Sequence, residues 1–145
     1  MMSAVSETKS KVQRILVNLY GSVEIDRDED FVVRKGSAVT FVRVREGFGD
    51  GTLIDVKCPL VVDAPLTPEL YKWVATEGQE FKLGGVWVNP NEDGKTGWIY
   101  FRYAITGDDV DESELENAVG VVAFGGDQLD NELQERFGGE LFGAG

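Results

Sequence analysis

The stretch that decides the fold is DESELENAVGVVAFGGDQLDNELQERFGG, which runs from Asp111 to Gly139. Its apolar and small residues recur at helical spacing, which places them on one face of a single long helix. The members of this stripe are Leu115, Ala118, Val119, Val122, Gly126, Leu129, Leu133 and Phe137. Asp111 or Ser113 can cap the start of the helix, and Gly138 is a typical terminating residue. The pattern predicts an amphipathic helix docked on an apolar surface, with Leu129 and Leu133 in the core.

Composition limits the classes of protein to which the chain can belong. It has 145 residues, of which 42% are hydrophobic, and a formal net charge of -12. This length suits a single domain, residues 1–145, with a core of its own. Such an acidic chain is a poor partner for nucleic acid or an anionic membrane surface, so we expect neither. The sequence shows no signal core and no run of transmembrane length, which predicts a cytoplasmic protein.

The residues that carry most enzyme chemistry are scarce. The sequence contains no histidine, the usual general base near neutral pH and the commonest metal ligand. Its lone cysteine, Cys58, excludes an intrachain disulfide and a multi-cysteine zinc site. Cys58 lies in a strand-like run with alternate apolar positions, which indicates a buried, inert thiol. We therefore expect no cofactor, no metal and no catalytic residues.

Local patterns predict helices, strands and turns in the order α-β-β-β-α-β-β-α. A first helix is expected over residues 5–19, and Thr67–Pro68 opens the middle helix. Strands are expected over residues 31–34, 38–45, 54–62, 81–88 and 97–105, and a short strand can form at 23–25. Pro59 favours an edge position or a bulge in its strand. The short connections indicate an α+β class, an antiparallel sheet of about five strands with helices packed on it. Residues 140–145 are expected to form a frayed tail.

Three segments resemble binding motifs but lack residues that those motifs require. Gly94-Lys95-Thr96 resembles the end of a phosphate-binding loop, but the first glycine of that loop is missing and a strand follows. The segment from Asn89 to Gly94 resembles a calcium loop without its closing glutamate. In the acidic turn DRDED, residues 26–30, phenylalanine follows where a calcium loop needs glycine. A carboxylate-dependent enzyme remains an alternative, with Asp26, Asp63 and Asp109 as candidate residues.

The aromatic hairpin is the strongest candidate for a binding surface. Val86-Trp87-Val88 and Trp98-Ile99-Tyr100 lie on two strands joined by a turn with Asp93-Gly94 at its tip. One face of this hairpin has to point away from the core unless another element covers it. The candidate partner or dimer surface consists of Val86, Trp87, Val88, Trp98, Tyr100 and Trp73. Core packing of the tryptophans is the alternative interpretation.

Several strings resemble the YbjN-like branch of the type III secretion chaperone-like superfamily. The main ones are VAFGGDQLD, residues 122–130, and the closing RFGG of residues 136–139. Supporting strings are DFVV, residues 30–33, TFVRV, residues 40–44, and APLTPEL, residues 64–70. The resemblance implies a small α+β fold, often dimeric, that holds other polypeptides and supplies no catalytic residues. Gly126 departs from the family pattern, which usually has alanine there.

The leading hypothesis is a non-catalytic cytoplasmic module that binds an unknown client protein or peptide and acts as a homodimer. An assembly subunit with one fixed protein partner is the alternative. Because the chain is acidic overall, we expect a client with apolar anchors and basic residues.

Overall fold

The computed structural model describes residues 3–35 and 38–143. Within these ranges the chain forms three α-helices: α1, Ala4–Tyr20; α2, Pro68–Ala75; and α3, Glu112–Phe137. The strands in the same ranges are β1, Glu24–Ile25; β2, Phe31–Lys35; β3, Ala38–Glu46; β4, Thr52–Pro65; β5, Gly85–Pro90; β6, Thr96–Thr106; and β7, Glu140–Leu141. A short 3₁₀ helix, Glu77–Gln79, follows α2. None of the described helices has the length and apolar character needed to cross a membrane.

The strands form one antiparallel sheet in the order β1-β2-β3-β4-β6-β5, and β7 pairs with β4. The predicted α+β class, with helices on an antiparallel sheet, is confirmed. The described residues contain seven strands rather than about five because β1 and β7 have two residues each. The short strand expected near Val23 is β1.

The helices cover one face of the sheet. Helix α3 packs on β3, β4 and β6, α1 packs on β3 and α3, and α2 lies against β5. The stripe predicted for α3 faces the core, since Leu133 is fully buried and Leu129 is 8% exposed. Asp111 caps α3 by accepting a hydrogen bond from the backbone N–H of Glu114 at 2.8 Å. Thr67 caps α2 in the same way, so both helices begin where the sequence predicts.

The strand expected over residues 81–88 begins only at Gly85. Gly84 has a φ of 74°, outside the extended region, and this interrupts the strand pattern. Phe81, expected to start the strand, instead packs its ring edge-on against Phe101, 5.2 Å between centroids. Tertiary packing and the glycine together override the local strand signal.

Strand β4 is the central strand of the sheet, so Pro59 does not lie on an edge strand. β4 pairs with β3 on one side and with β6 on the other. The register with β6 shifts between Pro59 and Val61, which is the bulge that the sequence offered as the alternative. The irregularity accommodates a residue that has no N–H to donate.

Residues 140–143 belong to the tail that the sequence predicts to be frayed, and in the structure they lie against the sheet. Glu140 and Leu141 pair with Val62 and Val61 of β4, on the stretch that β3 leaves unpaired. The backbone N–H of Phe142 donates to the carbonyl of Leu60 at 3.1 Å. Backbone pairing therefore holds this segment, and residues 144–145 of the predicted tail lie outside the described residues.

Candidate functional site on the open face of the sheet

The face of the sheet opposite the helices is the open face. Because side chains alternate along a strand, the antiparallel register brings the outward residues of neighbouring strands side by side. Phe41 faces Lys57, Arg43 faces Asp55, and Tyr100 lies between Pro59 and Trp87. The open face in the centre of the sheet consists of Val39, Phe41, Arg43, Arg45, Asp55, Lys57, Pro59, Trp98, Tyr100, Arg102, Trp87 and Asn89.

The structure divides the candidate surface residues between the two faces. Trp87, Trp98 and Tyr100 lie on the open face, where Trp87 is 44% exposed. Val86 is fully buried on the helix side, and the partly buried Val88 also packs against the core. Trp73 of α2 is 6% exposed, and its ring meets that of Phe137 edge-on at 6.1 Å. Val86 and Trp73 therefore cannot contribute to a surface formed on the open face.

Trp87, Trp98 and Tyr100 form an aromatic cluster interleaved with cations. The rings of Trp98 and Tyr100 are 5.3 Å apart between centroids. The Lys57 ammonium lies 5.4 Å from the centre of the Tyr100 ring, and the Arg102 guanidinium lies 5.3 Å from that of Trp87. Partial burial raises the pKa of Tyr100 above its ordinary value of 10.0. The cluster is thus a polarised aromatic surface whose phenol stays protonated near neutral pH.

Asp55 anchors the cations of this surface. Its side chain is 1% exposed and accepts from Arg102 Nε at 2.7 Å and from Arg45 Nη1 at 3.3 Å. Lys57 Nζ lies 3.9 Å from the same carboxylate. A carboxylate this buried requires such partners, because its desolvation is otherwise uncompensated. Asp55 consequently fixes the orientation of the guanidinium that lies over Trp87.

A second ion pair borders the open face at the acidic turn. Arg43 donates to both oxygens of Asp30, at 2.7 and 2.9 Å, and this hydrogen bonding raises the pKa of the guanidinium. Asp26 holds the turn by accepting from the backbone N–H groups of Asp28 and Asp30, both at 2.9 Å. Two acids of this turn therefore act within the protein, Asp26 on the backbone and Asp30 on Arg43.

Two pockets run along the open face. One has a volume of about 520 Å³ and the other of about 480 Å³. Asp26, Phe41 and Phe142 line both pockets, so the two share a wall. The remaining lining of the first is Glu24, Ile25, Val32, Arg34, Val39 and Gly143, and that of the second is Asp28, Asp30, Arg43, Asp55, Lys57, Pro59, Asn89 and Trp98. We call the two pockets together the groove.

The carboxylates considered for catalysis lie on separate elements. Asp26 serves the β1–β2 turn, and Asp63, near the end of β4, accepts a hydrogen bond from Asn91 at 3.1 Å. Asp109 lies in the turn before α3. The described residues contain no cluster of three or more side chains suited to a metal ion. Within this part of the chain, the three carboxylates do not form a common site.

Most of the residues that line the groove could not be identified from the sequence. Three charged residues that line the groove belong to no recognised motif: Arg43, Asp55 and Lys57. The sequence pattern that could have identified them is alternation, because each lies on the outward side of a strand whose inward side is apolar. Phe142 follows the paired glycines of the tail, and local sequence gives no indication that it docks on Phe41.

Comparison with solved structures shows that other proteins share this fold. No curated protein matches the sequence. A solved structure of the ExsC–ExsE complex contains a chain that is similar, with a TM-score of 0.60 and 15% identity over 90% of this chain and 96% of the other. A second solved structure contains the Yersinia pestis type III secretion chaperone SycH with a stable fragment of YscM2. It gives a TM-score of 0.53 and 11% identity over 84% of this chain and 98% of the other.

The fold shared with these structures agrees with the resemblance seen in the sequence. The family described as T3SS (YopN, CesT) and YbjN peptide-binding chaperone 1 matches residues 6–144, nearly the whole chain. The chain therefore belongs to this family of peptide-binding chaperones.

Proposed function

We propose that the chain is a non-catalytic cytoplasmic chaperone that holds an extended segment of a client protein in the groove on the open face of its sheet. The observation that carries the proposal is the position of the aromatic cluster beside the groove, on the face opposite the helices. Aromatic and apolar side chains supply most of the free energy in peptide recognition, while neighbouring polar groups fix the register. Family membership supports the same function.

The distribution of charge changes the expected chemistry of the client. Helix α3, on the other side of the sheet, carries seven carboxylates and one arginine. The open face instead carries Arg34, Arg43, Arg45, Lys57 and Arg102. Glu24, Asp30 and Asp55 pair with these five cations, and Asp26 and Asp28 also line the groove. Five carboxylates therefore balance five cations, and the face has little excess charge of either sign. The client is therefore recognised through apolar and aromatic anchors, and it does not have to be basic.

We also propose that the protein acts as a homodimer, formed through the sheet edge at β5. β5 ends the strand order, and an edge strand offers backbone groups for pairing with another chain. Trp87 lies on this strand and is half exposed. A twofold dimer would cover it, while Trp98 in the groove remains accessible to a client. Light scattering should give twice the 15.9 kDa mass of one chain, and a monomer at micromolar concentration would contradict the dimer.

Binding of a selected peptide tests the client site. Peptides are selected on the immobilised full chain from a random phage-displayed library, and the tightest is measured by fluorescence anisotropy. Trp98→Ala should weaken its binding by about tenfold or more, because a large aromatic contact is removed. The matched control is Phe124→Ala, on the solvent side of α3, where the ring is 69% exposed. This control should bind like the parent protein.

Salt provides the second measurement. Affinity should fall only modestly when the salt concentration rises from about 0.1 to about 0.5 M, since apolar contact dominates. Circular dichroism should show that both variants keep the fold. Binding that disappears in salt and ignores Trp98→Ala would exclude the groove and indicate an ionic contact elsewhere on the protein.

A further inference from the structure

The C-terminal segment occupies the sheet as an added strand. β3 pairs with β4 only over residues 52–57 of β4, and β7 takes the same side of β4 at Val61 and Val62. The hydrogen bond from Phe142 to Leu60 continues the pairing toward the groove. This arrangement is the geometry in which an extended peptide augments a sheet. The position beside β4 is therefore a strand site that the chain fills with its own residues.

Phe142 stands in the groove itself. Its ring meets Phe41 edge-on at 6.0 Å, and the two side chains form the wall between the two pockets. Phe142 is still 37% exposed, so its burial is partial. Removing this ring would join the pockets into one trough along the open face. An anchor residue of a client could then take the place of Phe142 against Phe41.

The segment is attached through a hinge of two glycines. Gly138 has a φ of 84° and Gly139 a φ of 87°, conformations in which other residues are strained. The Gly139 carbonyl accepts from the side chain of Gln134 at 3.1 Å, which ties the hinge to the end of α3. Beyond the hinge, a two-residue strand, one further hydrogen bond and the ring contact with Phe41 hold the segment among the described residues. So few contacts suit a segment that detaches without unfolding the sheet.

We propose that Glu140–Gly143 is a built-in competitor for the client-binding groove. A client displaces it by pairing an extended segment with residues 60–62 of β4 and placing a large apolar side chain against Phe41. This inference rests on the proposed function and adds the strand site and the anchor position. The partner is thus an extended polypeptide whose local chemistry resembles Glu-Leu-Phe, the chain's own occupant.

Binding of the chain's own segment in trans tests this proposal. The probe is a fluorescein-labelled synthetic peptide with the sequence of residues 138–143, titrated against the full chain. In the parent protein the tethered segment competes at an effective concentration of about a millimolar, so the probe binds weakly. Phe142→Ala removes the anchor of the competitor, so the probe should bind about tenfold more tightly. A probe peptide with alanine in place of its phenylalanine should lose this gain.

A second variant displaces the segment without altering its anchor. A Cβ atom at Gly139 would lie 2.6 Å from the Val62 carbonyl oxygen and 2.7 Å from Val61 Cγ1, at a positive φ. Gly139→Ala should therefore expel the segment and tighten probe binding as Phe142→Ala does. Phe124→Ala is the control and should leave probe binding unchanged. Circular dichroism should show that all three variants stay folded.

The outcomes separate this inference from the proposed function. If the variants bind both the probe and the phage-selected peptide more tightly than the parent, the competitor is supported. Equal binding of both peptides to parent and variants overturns the competitor but leaves the groove as the client site.

If Trp98→Ala leaves the selected peptide unaffected while the variants still gain affinity for the probe, the proposed function fails and the strand site stands. If the parent is a dimer that Gly139→Ala dissociates, the segment is exchanged between two copies, and the client-competitor proposal is overturned.

Discussion

Gly126 of α3 lies directly on the thiol of Cys58 in β4. A Cβ atom at position 126 would be 2.6 Å from Cys58 Sγ, and the next nearest side-chain carbon beyond Cys58 is Leu60 Cδ2 at 3.5 Å. The absence of a side chain therefore lets the backbone of the helix approach the central strand of the sheet. This contact accounts for glycine at a position where the family resemblance leads one to expect alanine.

Gly126→Ala should lower the free energy of unfolding. The added methyl group forces α3 away from β4, and overpacking of a core typically costs about 1–3 kcal/mol. The gain in helix propensity, about 1 kcal/mol, offsets only part of this. Chemical denaturation measures the difference. The double variant with Cys58→Ala removes the atom in conflict, so its loss should be smaller than the sum of the two single losses.

Gly120→Ala is the matched control on the same helix. A Cβ atom at Gly120 meets nothing within 4 Å outside its own helix backbone. The substitution therefore adds helix propensity without a clash, and it should stabilise the protein by up to about 1 kcal/mol. Equal effects at positions 120 and 126 would contradict the close approach of α3 to Cys58.

The helices and their buried faces could be predicted because their signals are local. Asp111 and Thr67 accept hydrogen bonds from the residues three positions later, so capping residues located both helix starts. The stripe ending in Leu133 and Phe137 has a period that only a helix satisfies. These features depend on residues within a few turns of one another, which makes them visible in the sequence alone.

The groove could not be predicted because it depends on which strands are neighbours. Asp55 is buried only because the register brings Arg45 and Arg102 to it from the strands on either side. Phe142 reaches Phe41 only because β3 leaves part of β4 unpaired. Neither relationship has a local signal. Arg43 and Arg45 alternate with apolar residues along β3, which indicates a polar side of the strand. The pattern does not identify the partners of these residues.

The thiol of Cys58 should be inert in the folded protein. Burial raises the pKa of this thiol from 9.0 to about 11, and the side chain is 3% exposed. At pH 8, a disulfide reagent should therefore modify Cys58 of the native protein only as fast as the protein opens. The same reagent should modify Cys58 of the unfolded protein at once. Rapid modification of the native protein would contradict the packing of α3 on β4.

The same pKa shift predicts a loss of stability at high pH. Between pH 9 and about 11 the unfolded state releases the thiol proton while the folded state retains it. The stabilising contribution is therefore complete below pH 9, and it is lost as the pH rises through this window, by up to about 1.4 kcal/mol per unit. Cys58→Ala removes this contribution. The measurement is the slope of unfolding free energy against pH, which should be less negative in the variant.

Leu133→Ala should cost about 2–5 kcal/mol of stability, because Leu133 is fully buried in the core and its truncation leaves a cavity. Leu83→Ala is the control, since Leu83 is 41% exposed. The control should change stability by less than about 1 kcal/mol. Thermal and denaturant unfolding measure both variants. A Leu133→Ala variant with the same melting temperature as the parent would contradict the docking of the stripe on the sheet.

Asp55→Ala should destabilise the protein and disorder the open face. The carboxylate is buried against Arg45, Lys57 and Arg102, and removing one partner of such a set leaves partly buried cations uncompensated. We expect a loss of about 3 kcal/mol, toward the lower end for buried pairs because the cations keep some contact with water. Asp55→Asn keeps one acceptor for Arg102 and should lose less. Asp50→Ala, at an exposed loop position, is the control and should stay within about 0.5 kcal/mol of the parent.

The peptide-binding readout separates the role of Asp55 in the groove from its role in stability. Lys57 lies 3.9 Å from the Asp55 carboxylate and over the Tyr100 ring, which packs beside Trp98 in the groove. Loss of the carboxylate charge should therefore weaken binding of the phage-selected peptide even at temperatures where Asp55→Asn is fully folded. Anisotropy titration of the folded Asn variant tests this. Unchanged affinity together with lowered stability would show that Asp55 supports the sheet alone and has no part in positioning the aromatic cluster for a client.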